Sequence, residues 1–393
     1  MNQIEQSTRP KARVLHVITR FVKGGADENT FHTIKGLEAG NFAVDLATGE
    51  ESDFSLLEEL NLDYVVVKGL KRNISPLNDI KAFWRLYKMM RIREYQIVHT
   101  HTAKAGFLGR TAAKLAKTPV IIHTLHGITF HDFLNPLLKQ FYLWVEKVAG
   151  LFTDRFVTVG DDIKETYIEK RISKPENYVT IRSGMSLHRF IEAGHYSAPT
   201  KQNVKADFGI TNGEILIGTA CRLEPRKGLD YLLRAAKELT RKYSNIRFLI
   251  AGDGFKKDEL LLEVEKLNLA DSVRFLGFRD DIHNFLSVLD IFTLTSLWEG
   301  LPRVLVQAAA VGKPIVTFDI EGATEIVKNG VNGFVVPVKN VSELVDKISY
   351  LIENPEQANY MGESGKDIVG DAWDAEIMKA KISKLYDEIT YSQ

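Results

Sequence analysis

Residues 295–337 read TSLWEGLPRVLVQAAAVGKPIVTFDIEGATEIVKNGVNGFVVP. An apolar, β-branched run (291–295) closes at the start of this stretch, two more (315–318 and 334–336) lie inside it, and a helix-length segment opens near Pro302 between the first two. Proline suits a first helical turn, because the N–H it lacks would find no partner there. Strand, helix, strand is a βαβ rhythm, and runs that are apolar throughout rather than alternating belong to strands covered on both faces, as in a parallel sheet between helices.

Outward from this stretch the same rhythm recurs. Upstream lie runs 215–220, 248–251 and 273–276, with helices expected at 229–242 and 258–267. Further back stands a second series, at 14–19, 44–48, 64–67, 97–100, 120–124, 156–159 and 179–181. Between the two, SGMSLHRFIEAGHYSAPTKQN (183–203) has no sustained periodicity and carries Gly, Ser and Pro, so it reads as the linker. The expectation is two Rossmann-like, doubly wound α/β domains, 1–190 and 197–370, with a helix at about 372–393 packing back on the first. A chain of 393 residues with 45% apolar content can fill two cores. Open α/β sheets bind ligands at the carboxyl ends of their strands, so the active site is expected in the cleft between the domains.

Composition narrows the function classes. Zero formal net charge argues against a nucleic-acid-binding stripe and against an acidic disordered chain. The single cysteine, Cys221, leaves no disulfide framework and no cysteine metal cluster, which fits a reducing compartment. The polar N-terminus MNQIEQSTRPKAR has no apolar signal core, and the apolar run 285–298 is broken by Asp290 and shorter than the roughly 18–20 residues that span a bilayer. A cytoplasmic protein is expected. Residues 68–93 carry eight basic side chains against one acidic, interleaved with Phe83, Trp84, Leu86, Tyr87, Met89 and Met90. Part of this is a basic amphipathic helix, which either packs on the first sheet or docks on an anionic membrane surface.

Two loops carry the candidate chemistry. In SLWEGLP a helix N-terminus follows Glu299, and its free N–H groups suit a diphosphate, while Glu299, itself an anion, suits acceptance of hydrogen bonds from sugar hydroxyls. In RLEPRKG (222–228) Arg222 ends a strand and Lys227 follows five residues on. Cleaving a sugar–phosphate bond builds negative charge on the leaving diphosphate, which this fork and this mobile ammonium can meet without a metal. Gly24 and Gly25, between the first strand and a helix near Ala26, offer a close backbone approach to phosphate or acceptor.

With these loops the chain resembles the retaining glycosyltransferase family 4 of GT-B fold. The resemblance rests on RLEPRKG, AGDG (251–254), GFRDD (277–281), SLWEGLP, EGATEIVKNGVNGFVVP, and on GGADENT and HTLHG in the first half. It implies a nucleotide-diphospho-sugar donor, UDP-linked before GDP-linked, and a hexosyl or N-acetylhexosaminyl group transferred with retention and no metal or other cofactor. The acceptor would be a sugar, a lipid-linked glycan or a small molecule, and the setting surface polysaccharide, lipopolysaccharide or glycolipid assembly at the inner membrane face. Arg222 and Lys227 would grip the diphosphate. Glu299, with the backbone of Gly300 and Leu301, would hold hexose hydroxyls, and His126 at the cleft wall would contact the transferred sugar. Asp253 and Arg279 would lie by the nucleotide, with Glu325 facing the same pocket. Gln307 stands where the family carries a second Glu for the ribose; its amide oxygen still accepts one bond. His99, His101, His123 and His131 read as structural. An epimerase or phosphorylase of the same fold lacks its expected acid–base pair or cofactor lysine here, and a non-catalytic sugar-nucleotide-binding subunit has no reason to keep Arg222, Lys227 and Glu299 together.

Overall fold

The computed structural model describes residues 12–40, 42–210 and 213–391; the polar stretch 1–11 lies outside them. All thirteen apolar runs are strands, and every pairing among the described residues is parallel. Packing divides the chain into one unit that runs to Met185 and takes in the chain from Ala375 onward, and a second of Ser186–Asp374.

The first unit holds β1 (Ala12–Ile18), β2 (Phe42–Gly49), β3 (Tyr64–Val67), β4 (Ile97–His101), β5 (Val120–Leu125), β6 (Arg155–Thr158) and β7 (Tyr178–Thr180), in the order β3-β2-β1-β4-β5-β6-β7. The order reverses between β1 and β4, so the loops after these two strands diverge and leave a crevice at their carboxyl ends. On one face, Leu15, Val17, Val98 and Ile121 pack with Ala82, Leu86 and Met90 of helix Pro76–Arg93 and with Ala105, Ala112 and Ala113 of helix Ala103–Ala116. On the other, Val14, Ile97 and Ile122 meet Leu37 of helix Gly25–Glu38 and Met378, Ile382, Leu385 and Tyr386 of helix Ala375–Tyr391. Gly36 permits this approach, since a Cβ there would lie 3.0 Å from the Lys379 Cβ.

A buried ion pair ties helix Ala103–Ala116 to helix Pro136–Gly150. Arg110 Nη2 donates to Glu146 Oε2 at 2.9 Å with both side chains at most 3% exposed, and Arg110 Nε donates to the Gly106 carbonyl. No helix among the described residues is long and apolar enough to cross a membrane.

The second unit holds β8 (Ile215–Ala220), β9 (Ile246–Ala251), β10 (Val273–Gly277), β11 (Ile291–Leu294), β12 (Ile315–Phe318) and β13 (Gly333–Val336), in the order β10-β9-β8-β11-β12-β13, with its reversal between β8 and β11. The stretch 183–203, expected as an aperiodic linker, is largely helical: His188–Gly194 and Ala198–Asp207. Both helices are too short to show a clear period. Ser197 caps the second by accepting the Thr200 N–H, and Gly194 lets the first lie against the Val311 carbonyl, which a Cβ would approach to 2.8 Å.

Candidate active site

In the second unit the loops after β8 and β11, the two strands at the reversal, are stitched together. Leu297 N donates to the Arg226 carbonyl at 2.7 Å, and Thr295 Oγ1 to the Lys227 carbonyl at 3.2 Å. Gly228 makes this closeness possible. It sits at φ +58°, and a Cβ would fall 2.2 Å from the Thr295 carbonyl, so only glycine is tolerated at this crossing.

The stitching brings four charges together. Lys227 Nζ donates to Glu299 Oε1, Arg226 Nη1 to Glu299 Oε2 at 2.6 Å, and Ser296 Oγ to Glu299 Oε1 at 2.9 Å. Arg226 Nε also donates to Glu224 Oε1 at 2.6 Å. The Glu299 side chain is 8% exposed and that of Lys227 11%. Burial pushes the Glu299 carboxyl up, but Lys227 and Arg226 beside it outweigh burial and hold it below its ordinary value of 4.5. Two cations and two anions leave the cluster neutral, and the pair with Glu299 holds Lys227 in place without a bound phosphate.

Arg226 escaped the sequence reading, which took Arg222 and Lys227 from the same segment. The one-turn 3₁₀ helix Pro225–Lys227 turns Arg226 and Lys227 onto one carboxylate. Its signal was Pro225 followed by consecutive cations. Arg222 is exposed at the loop's start, and its carbonyl accepts the Glu224 N–H. Glu224, within the same segment, pairs with Arg226.

The neighbouring loops join the same edge. Leu223 N donates to the Asp253 carbonyl at 2.9 Å, and Gly252 (φ +142°) and Gly254 (φ +159°) press against the carbonyls of Cys221 and Leu223. Asp253 is thereby fixed beside Leu223, with its carboxylate accepting the Gly254 N–H at 2.8 Å. Gly322, at φ +74°, packs on the Gly300 carbonyl and Pro302, bringing the turn that precedes Glu325 against Gly300 and Leu301. Gln307 is half-buried on helix Arg303–Val311. Arg279 gives its Nε and Nη2 to Asp281 at 2.6 and 2.7 Å, and its guanidinium lies 4.6 Å over the Phe208 ring.

In the first unit the carboxyl ends of β1 and β4 carry an arrangement the sequence did not disclose. His16 and His99 are in-register partners on neighbouring strands, and His101, two residues on, faces the same way. His16 Nδ1 bonds His101 Nε2 at 2.9 Å, and His101 Nδ1 bonds the half-buried His126 Nε2 at 3.1 Å. His99 uses both ring nitrogens, on Tyr386 Oη at 2.7 Å and Thr124 Oγ1 at 2.6 Å. His123, on the opposite face, bonds Thr100 Oγ1 at 2.8 Å. Burial pushes His16 down to about 3 and holds His99 and His101 well below the imidazole range, so these three rings are uncharged at neutral pH.

Each of His16, His99 and His101 offers a ring nitrogen within 4.8 Å of the others. They do not form a metal cage: His16 Nδ1 and His101 Nε2 bond each other, and both His99 nitrogens are taken by Tyr386 and Thr124. Beside them Thr102 adopts φ 62°, ψ 159°, a conformation strained for any side chain, and is held there by a 2.8 Å bond between the hydroxyls of Thr19 and Thr102. Such strain is characteristic of functional sites. At Gly24 the backbone is extended (φ −168°), so the positive φ that glycine allows is not used there.

Comparison with known proteins fits both units. Residues 23–189 match the model of Glycosyltransferase Family 4, and residues 200–368 that of Glycosyl transferases group 1. The chain belongs to the glycosyltransferases. This glycosyltransferase is 28% identical over 391 residues to the UDP-Gal:alpha-D-GlcNAc-diphosphoundecaprenol alpha-1,3-galactosyltransferase of Escherichia coli, covering 99% of this chain and all of that one. It is 26% identical to the N,N'-diacetylbacillosaminyl-diphospho-undecaprenol alpha-1,3-N-acetylgalactosaminyltransferase of Campylobacter jejuni, over 91% of this chain and 94% of the relative. Among solved structures, HepE of Anabaena in complex with UDP superposes with a TM-score of 0.80 at 23% identity, over 97% of this chain and 100% of that one. Its fold is thus GT-B, two Rossmann-like parallel-sheet domains.

Proposed function

We propose that this glycosyltransferase moves a hexosyl or N-acetylhexosaminyl group from a UDP-sugar to a hydroxyl of a lipid-linked glycan, with retention of configuration, in bacterial surface-glycan assembly. The observation that carries the donor half is the neutral cluster of Glu224, Arg226, Lys227 and Glu299 at the strand reversal. The choice of UDP is supported by HepE, which is solved with UDP, and the lipid-linked acceptor by the two relatives, whose names specify diphosphoundecaprenol-linked sugars.

In this mechanism the diphosphate competes with Glu299 for Lys227, and Arg222 closes on it as a fork. Glu299, partly released, accepts hydroxyls of the sugar, with Gly300 and Leu301 presenting backbone groups. Asp253, Gln307 and Glu325 line the nucleotide end, with the Gln307 amide taking one ribose hydroxyl. In the first unit His126 contacts substrate, and Gly24 and Gly25 offer backbone N–H groups. The acceptor hydroxyl oxygen bonds the anomeric carbon from the face that the diphosphate leaves, and its proton passes to the departing phosphate oxygen. The cations at the diphosphate take the charge that a metal would otherwise meet. Arg279, already held by Asp281 and Phe208, acts by shaping the loop after β10.

Membrane association fits the exposed face of helix Pro76–Arg93, where Leu77 and Ile92 are 76% and 78% exposed and Ile80 and Trp84 stand among exposed Lys81, Arg85, Lys88 and Arg91. Flotation with liposomes tests it: equal recovery with and without anionic lipid refutes it. The donor is tested by thermal shift against UDP-, GDP- and dTDP-sugars, followed by donor hydrolysis with and without lipid-linked acceptor. A UDP-sugar at about 100 times its Kd is expected to stabilise by about 2.7 kcal/mol. A shift with GDP-sugars alone would overturn the UDP assignment.

A further inference from the structure

We propose that the buried histidine row of the first unit fixes His126 as its Nδ1–H tautomer, so that His126 meets substrate as a hydrogen-bond donor, with His101 and His16 as positioning residues behind it. The substrate half rests on the assignment of His126 to substrate contact; the tautomer does not.

A neutral imidazole carries one N–H and one accepting nitrogen, so a chain of such rings can run in only two senses. The far end decides between them. His16 Nε2 is buried with no hydrogen-bond partner among the described residues. A proton on it would be an orphaned donor, the costlier arrangement, so the His16 proton lies on Nδ1. That N–H donates across 2.9 Å to His101 Nε2. The one proton of His101 is then on Nδ1 and donates across 3.1 Å to His126 Nε2. With Nε2 accepting, the His126 proton is left on Nδ1.

The row is held rigidly. His16 and His101 are each 0% exposed, and their ring planes lie within 19° of each other, as a bond in the plane of both rings requires. His101 ends β4 immediately before strained Thr102, which Thr19 at the end of β1 holds in place through its hydroxyl. A 1 Å shift of β1 against β4 would break both the His16–His101 bond and the threonine bond. With its proton on Nδ1 and its Nε2 occupied by His101, His126 has no open lone pair for a substrate proton, so it orients a substrate oxygen and does not serve as a base.

The test uses the whole chain labelled with ¹⁵N-histidine and no substrate, in which two-bond ¹H–¹⁵N correlations separate the two neutral tautomers. His126, assigned by its loss in His126→Asn, is expected to show the Nδ1–H pattern at neutral pH, and His101→Phe is expected to lose that bias while the fold is retained. An Nε2–H or charged His126 in the wild-type protein overturns the proposal, whether or not His101→Phe folds. In transfer assays an Asn amide N–H lies near the position of Nδ1 and a Gln amide near that of Nε2. His126→Asn is therefore expected to keep about tenfold more kcat/KM than His126→Gln, and His101→Phe to lose about tenfold in kcat/KM. Equal activity of the Asn and Gln variants overturns the donor role. If His126→Ala leaves transfer unchanged, the substrate-contact assignment fails while the tautomer stands.

Discussion

Lys227 and Glu299 should prove energetically coupled before any donor binds. The perturbation is a cycle of Lys227→Met, Glu299→Gln and the double variant. A hydrogen bond between charged partners contributes about 1.5–3 kcal/mol, against about 0–1 kcal/mol for a pair on the open surface. With 11% and 8% side-chain exposure this pair belongs near the first range. Arg226 keeps Glu224 as a partner when Glu299 is neutralised, which limits the loss in that variant. Each single variant is therefore expected to cost about 2 kcal/mol, and the double variant about 2 kcal/mol less than the sum of the two. Because the chain has two units, global melting does not assign a coupling energy to one of them. Hydrogen exchange at the amides of β8 and β11 reads the second unit alone. A coupling below about 0.5 kcal/mol would show that the ammonium and carboxylate are not mutually held, and the case for a preset donor site would fall with it.

In the first unit, Glu146→Ala strands the buried Arg110 guanidinium and is expected to cost about 3–5 kcal/mol in denaturant unfolding, whereas Arg110→Met with Glu146→Leu together recover most of it. Because Glu299 is held below 4.5, its contribution is fully present above that value and is lost as the pH falls beneath it. Exchange protection of β11 should weaken on acidification in the wild type and less in Glu299→Gln. Burial pushes the Cys221 thiol up to about 11 from 9.0, so alkylation near neutral pH should be about 100-fold slower than for a free cysteine; a rate close to that of free cysteine would contradict the burial.

The strands were legible because each is a short β-branched run between polar breaks, and the βαβ order then leaves few topologies open. Helix Leu229–Lys242 was readable to the residue because Gly228 marks its start and its apolar residues recur on one face. The donor loops were legible as motifs, but the partner of Lys227 was not: residues 227 and 299 meet only because β8 and β11, separated in sequence by β9 and β10, are neighbours at the reversal. The histidine row was hidden for the same reason. His16 and His99 are 83 positions apart and become adjacent only through the β1–β4 pairing, so single histidines on apolar strands read as isolated core residues. The partner of Arg279 was as hidden as that of Lys227: Asp281, two residues on, takes both Nε and Nη2 of its fork.

Helix Ala375–Tyr391 gives the first unit a history as well as a shape. Its Met378, Ile382, Leu385 and Tyr386 close the core over Val14, Leu37 and Ile122, yet a ribosome reaches them only after the whole second unit has been made. Until then the nascent first unit has an uncovered apolar face, and His99 lacks its Tyr386 partner. Domains emerging from the ribosome usually fold in order of synthesis, but here the earlier one stays open to chaperones while the later one can finish first. The histidine row behind His126 thus reaches its native packing late.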